Sequence, residues 1–159
     1  MSTKKAKEPR PKNKKKKATS AKALLESGRV AYMAGEFNKA RDIWLPLAEA
    51  GNADAQAWIG SLHANGDGVD VDDAAAFAWY LKSAEGGNTQ AQSNIGAMYA
   101  MGNGVEKNAE EAVRWFERAA EAGDAHGQFN LAVLLSEGNG IAKDLAKAEF
   151  MMGIAFAVA

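Results

Sequence analysis

Three stretches of this sequence repeat one another at a spacing of 36 residues, and few folds tolerate that. One copy begins at Asn52, the next at Asn88 and the third at Asp124. Gly66, Gly102 and Gly138 fall in register, as do Gly68, Gly104 and Gly140. Val69, Val105 and Ile141 follow directly, and Ala76, Ala112 and Ala148 align further along. Trp79 aligns with Trp115, and Tyr80 with Phe116. A period of this length marks an array of supersecondary units. No unit can bury its own apolar faces, so stability comes from stacking.

Each copy reads as two helices. The first starts at Asn52, Asn88 or Asp124, where a side-chain oxygen can cap the free amides of the first turn. The glycine before it, as in Gly51 and Gly87, suits the left-handed residue that ends the preceding helix. The Gly-x-Gly pair stops the first helix, and Asp72, Asn108 and Asp144 cap the second. Asn108 and Glu111 have the spacing of a capping box. Small residues at Gly60, Gly96 and Ala132 let neighbouring helices approach, and large aromatics fill the wedge between repeats. Residues 21–51 read as a shortened, related unit, with Tyr32, Gly35, Phe37 and Ala40 following the same logic around a loop five residues shorter. Abundant alanine and only three prolines agree with helices.

The pattern Ala91-Gln92, Ile95-Gly96, Tyr99, Gly102-Asn103-Gly104-Val105, Ala112-Val113-Arg114-Trp115-Phe116 and Ala119 to Gly123 resembles the Sel-one-like repeat, a cousin of the tetratricopeptide repeat. The resemblance covers 52–87, 88–123 and 124–159, preceded by a tetratricopeptide-like lead unit at 21–51. It implies an all-α fold, a right-handed superhelical α-solenoid of antiparallel helix pairs. It also implies a non-catalytic adaptor or scaffold of bacterial type, with a peptide or folded domain as partner. Disulfide-rich relatives linked to penicillin binding are a poor match, because this chain has no cysteine. The third copy departs from the pattern: Met151 and Met152 stand where the aromatic pair is expected.

Charge divides the chain. Residues 1–17 carry nine Lys or Arg and one Glu, while the remainder carries ten basic and nineteen acidic residues. Residues 1–20 cannot bury enough apolar surface to offset the entropy of ordering them, which predicts a disordered tail. Three readings of that tail stay open. It docks weakly on nucleic acid or anionic lipid, it folds back on the acidic body, or it is a solubilising arm. It has no interleaved aromatics to stack on bases.

The candidate partner-binding residues are those that vary between copies on the first helices, which line the concave face of such a stack. Trp58 aligns with Asn94 and Asn130, Ser61 with Ala97 and Val133, and His63 with Tyr99 and Leu135. Trp58 is either an exposed anchor or a residue packed beneath the lead unit. The six Gly-x-Gly glycines are structural, since none opens the longer dinucleotide fingerprint after a strand. Asn65, Asp67, Asp70, Asp72 and Asp73 crowd one loop, but their spacing misses the calcium motif, so no metal ligand is assigned. No cofactor and no catalytic residue is expected, and a cell-wall hydrolase is the least favoured reading. The apolar helix from Ala146 predicts a partner, a homodimer contact or Met-rich closure of the stack. No apolar run follows the first charges, and Phe150 to Ala159 is shorter than the roughly 20 residues a bilayer needs. The expected location is cytoplasmic.

Overall fold

The computed structural model describes residues 19–158, which form an all-α solenoid. Its helices are α1 (Ala21–Met33), α2 (Phe37–Glu49), α3 (Ala53–Asn65), α4 (Asp73–Glu85), α5 (Thr89–Met101), α6 (Ala109–Glu121), α7 (Ala125–Glu137) and α8 (Leu145–Val158). Each packs on its neighbours in the chain, and short turns make the pairs antiparallel. The tail reading of residues 1–18 lies outside the described residues. Ser20, assigned to that tail from sequence, is the N-cap of α1 and accepts from the Ala23 amide at 3.2 Å.

The expected caps form. Asn52, Asn88 and Asp124 accept from the amides of Ala55, Ala91 and Gly127 at 2.9, 2.8 and 2.7 Å. Asp72, Asn108 and Asp144 accept from Ala75, Glu111 and Lys147 at 2.9, 3.1 and 2.9 Å. Each such cap contributes about 1 kcal/mol. The capping box at Asn108 is only half made. Glu111 turns to Arg114, and the Asn108 amide donates to the Tyr99 carbonyl at 2.9 Å.

That last bond belongs to the repeat. The Asp72 and Asp144 amides likewise donate to His63 and Leu135, at 3.0 and 3.1 Å, so each Gly-x-Gly turn is closed across its base. Between units the turn is different. Gly51, at φ 95°, donates to Ala48, and the Asn52 amide reaches back to Leu47 at 3.0 Å. This is a Schellman ending, and its final residue is already the cap of the next helix.

The lead unit uses this second turn inside its own pair: Gly35 donates to Tyr32 at 2.9 Å and Glu36 to Ala31 at 2.9 Å. Its connection is residues 34–36, against 66–72 in the first full copy, so it is four residues shorter rather than five. With that register Gly28 becomes the counterpart of Gly60 and Gly96. All three face a ring. An added Cβ would lie 2.1 Å from Trp44, 2.9 Å from Tyr80 and 2.6 Å from Phe116 respectively. The glycines thus let each second-helix aromatic press on the backbone of the first helix. The third copy has Ala132 and, in register with the rings, Met152.

Consecutive pairs are stitched by glutamine. Gln56, Gln92 and Gln128 donate through Nε2 to the carbonyls of Ala48, Ala84 and Ala120 at 3.0, 3.2 and 3.4 Å. Those carbonyls sit in last turns, and each also accepts from the turn glycine three residues on, at 3.1, 3.1 and 3.0 Å. Trp79 then packs against the core of α2 and α3, and Trp115 against that of α4 and α5. Among the first helices, α5 and α7 touch directly. Among the described residues, no helix is long and apolar enough to cross a membrane.

Candidate functional site

A groove of about 580 Å³ crosses α1, α3 and α5. Lys22, Leu25, Glu26 and Arg29 come from α1, and Asp54, Ala57, Trp58 and Ser61 from α3. Tyr80 closes the floor from α4, and Asn88, Gln90 and Asn94 form the far wall. Helical spacing explains the set: Asp54, Ala57, Trp58 and Ser61 share one face of α3.

The polar groups of this groove are held in place. Glu26 and Arg29 pair twice, at 2.7 and 2.9 Å, and Asp54 accepts from Asn88 Nδ2 at 2.8 Å. The Arg29 guanidinium holds the Glu26 carboxyl below its ordinary value. Trp58 packs as the second alternative raised for it describes. It stacks on Trp44 beneath the lead unit, with ring centroids 4.6 Å apart at 13°, and it lines the groove while remaining half-buried. Tyr32 stands beside it at 5.5 Å.

Of the sequence candidates, Trp58, Ser61 and Asn94 meet in this groove. Asn130 does not. It lines a second hollow with Ala97, Ala100, Met101 and Val133, one repeat further along the inner face. His63 lines neither hollow, and its carbonyl serves the turn before α4. Gly66, Gly68, Gly102, Gly104, Gly138 and Gly140 all have positive φ, between 63° and 87°, and so act as turn residues. In the acidic loop, Asp67 accepts from Tyr32 at 2.6 Å and from Asn65 at 3.3 Å, while Asp72 caps α4. The Tyr32–Asp67 bond, spanning 35 residues, fastens the lead unit to the first full copy and gave no sequence signal.

Two tyrosines beside the groove carry a pH dependence. The bond to Asp67 raises Tyr32, with burial adding to it, and burial raises Tyr80 against the opposing Ser61 hydroxyl. Folding therefore favours the neutral phenols. That stabilisation is complete below the ordinary value of 10.0 and is lost as pH rises through the folded-state values. Urea unfolding is expected to show a steeper alkaline decline in the natural chain than in a Tyr80→Phe variant. Equal declines would remove Tyr80 from this account.

The Sel1 repeat profile matches residues 53–88, 89–124 and 125–155. No curated protein matches the chain. A Sel1 repeat protein from Oxalobacter formigenes is 33% identical with a TM-score of 0.79, over 85% of this chain and 56% of that one. The protein c5321, a protective antigen of uropathogenic Escherichia coli strains with an SLR fold, is 38% identical with a TM-score of 0.81. That match covers 87% of this chain and 31% of the other. This chain thus spans only part of the length of either. Helicobacter pylori cysteine rich protein B shares the fold at 17% identity and a TM-score of 0.57, over 88% of this chain and 92% of that one.

Proposed function

Because the chain belongs to the Sel1 repeat family, we propose that it is a non-catalytic adaptor that holds a protein partner in the groove across α1, α3 and α5. One observation carries this reading. An apolar floor of Leu25, Ala57, Trp58 and Tyr80 is bordered by Ser61, Asn94 and the Glu26–Arg29 pair. That is the composition of a peptide site: a large aromatic anchor supplies affinity, and a few fixed polar groups set register. Trp58 is braced from behind by Trp44, so little side-chain entropy is lost on binding. The groove charges come in equal numbers of each sign, which fits a partner chosen by shape and hydrogen bonding more than by charge.

Capture from nuclease-treated lysate of the source organism tests this with three baits. They are the full chain, a chain beginning at Thr19 that keeps the Ser20 cap, and full-length Ala57→Arg. Ala57 is half-buried on the groove floor, where arginine blocks access and extends its head to solvent. The same protein is expected from the first two baits, with binding to Ala57→Arg weakened by about tenfold or more. Loss of the partner with residues 1–18 would move the function to the basic tail.

A further inference from the structure

A second cavity, of about 350 Å³, lies between α6, α7 and α8, lined by Glu117, Ala120, Gln128, Leu131, Lys147 and Met151. Its origin is legible from the repeat. One period earlier, the places of Ala120, Leu131 and Met151 are held by Ala84, Ile95 and Trp115, which share one core cluster. Two periods earlier they are held by Ala48, Ile59 and Trp79, again packed together. An indole ring closes this slot twice, and in the third copy a thioether stands in its place. The residue over the slot changes too. Leu45 and Leu81 give way to Glu117, which pairs with Lys147 at 2.7 Å.

The floor carries a polar group short of a partner. Gln128 is 5% exposed, and its Oε1 is buried with no hydrogen bond. Its Nε2 keeps only a long bond to Ala120, at 3.4 Å. Gln92 Oε1, one repeat earlier, is unpaired as well although Trp115 fills the slot there, so the missing partner belongs to this register and the open slot is what sets Gln128 apart.

We infer that this cavity binds an indole ring, the group that the two preceding repeats supply from their own second helices. Leu131, Ala120 and Met151 contact its faces, Gln128 stands at the floor, and the Glu117–Lys147 pair flanks the entrance. The ring comes either from a tryptophan in another polypeptide or from the free amino acid, whose ammonium and carboxylate would match Glu117 and Lys147.

The test is NMR titration of the full chain with indole, indene, N-acetyltryptophanamide and free tryptophan. Indole is expected to bind, and indene, which has the ring but no N–H, to bind comparably, because contact with the ring faces supplies the affinity. Indole should shift the Gln128 side-chain amide and the Met151 methyl and leave Gln92 unmoved. Tighter binding of the blocked amide identifies a polypeptide source, and tighter binding of the free amino acid identifies the small molecule. Met151→Trp, which restores the repeat, should abolish binding and raise Tm. Indole binding that survives Met151→Trp, or shifts that miss Gln128 and Met151, would overturn the proposal. So would the absence of shifts at saturating indole in the natural chain, which needs no variant to fold.

Discussion

Replacing Trp44 with alanine lowers stability by about 3–5 kcal/mol, the range for removing a fully buried aromatic. Trp44 is 0% exposed and is the largest side chain at the heart of the lead unit. Its Nε1 donates to the Leu25 carbonyl at 3.2 Å, and its ring lies between the Gly28 backbone and Trp58. Truncation leaves a cavity that Gly28 cannot fill and strips that carbonyl of its side-chain donor. The loss also reaches the groove, because Trp58 forfeits the surface that orients it. Urea unfolding with near-ultraviolet circular dichroism reads both effects: a lower midpoint and a loss of the stacked-tryptophan signal. Trp79→Ala is the comparison. Trp79 is half-buried and flanked by Lys82 on one side, so its removal costs less. A Trp44→Ala chain within about 1 kcal/mol of the natural one would contradict the packing described for the lead unit.

Gly104→Ala is the second large effect, and Gly123→Ala separates its causes. Both glycines have positive φ, 68° and 86°. An alanine in the left-handed region costs about 1–2 kcal/mol at either place. At Gly123 an added Cβ meets open space, whereas at Gly104 it falls 2.1 Å from the Asp73 carbonyl oxygen. That obstacle is backbone in the first turn of α4, so relief requires the whole turn to move. Overpacking of this kind adds about 1–3 kcal/mol. The second glycine of each Gly-x-Gly turn is therefore a contact between repeats as well as a turn residue. Gly68 lies against Phe37 and Asn38 in α2, and Gly140 against Ala109 in α6. Equal losses for Gly104→Ala and Gly123→Ala in chemical denaturation would leave only the conformational cost.

The repeat was legible because each position performs the same task in every copy. Caps at Asn52, Asn88 and Asp124 and turns at the paired glycines are local demands, and local demands leave a mark at fixed spacing. What lay hidden depends on neighbours far away in the chain. Gly28 was masked because the lead turn is four residues shorter, which displaces it from the register of Gly60. The Tyr32–Asp67 bond joins residues from different units, and neither residue type signals the other. The packing of Trp58 was undecidable from sequence because its stacking partner, Trp44, lies in another unit. Asn130 shares a register with Trp58 and Asn94, yet it lines a separate hollow. The Met151 and Met152 departure was visible, but a flexible thioether fills some gaps and leaves others, so the cavity beside Met151 shows only in the fold.

Site-specific photo-crosslinking locates the partner on the solenoid. A photoreactive residue is placed at Ser61 in the groove and, separately, at Arg118, which is exposed on the outer helix α6. The captured partner is expected to form an adduct from Ser61, which Ala57→Arg in the same chain removes, and none from Arg118. Adducts from Arg118 alone, or equally from both positions, would contradict binding in the groove.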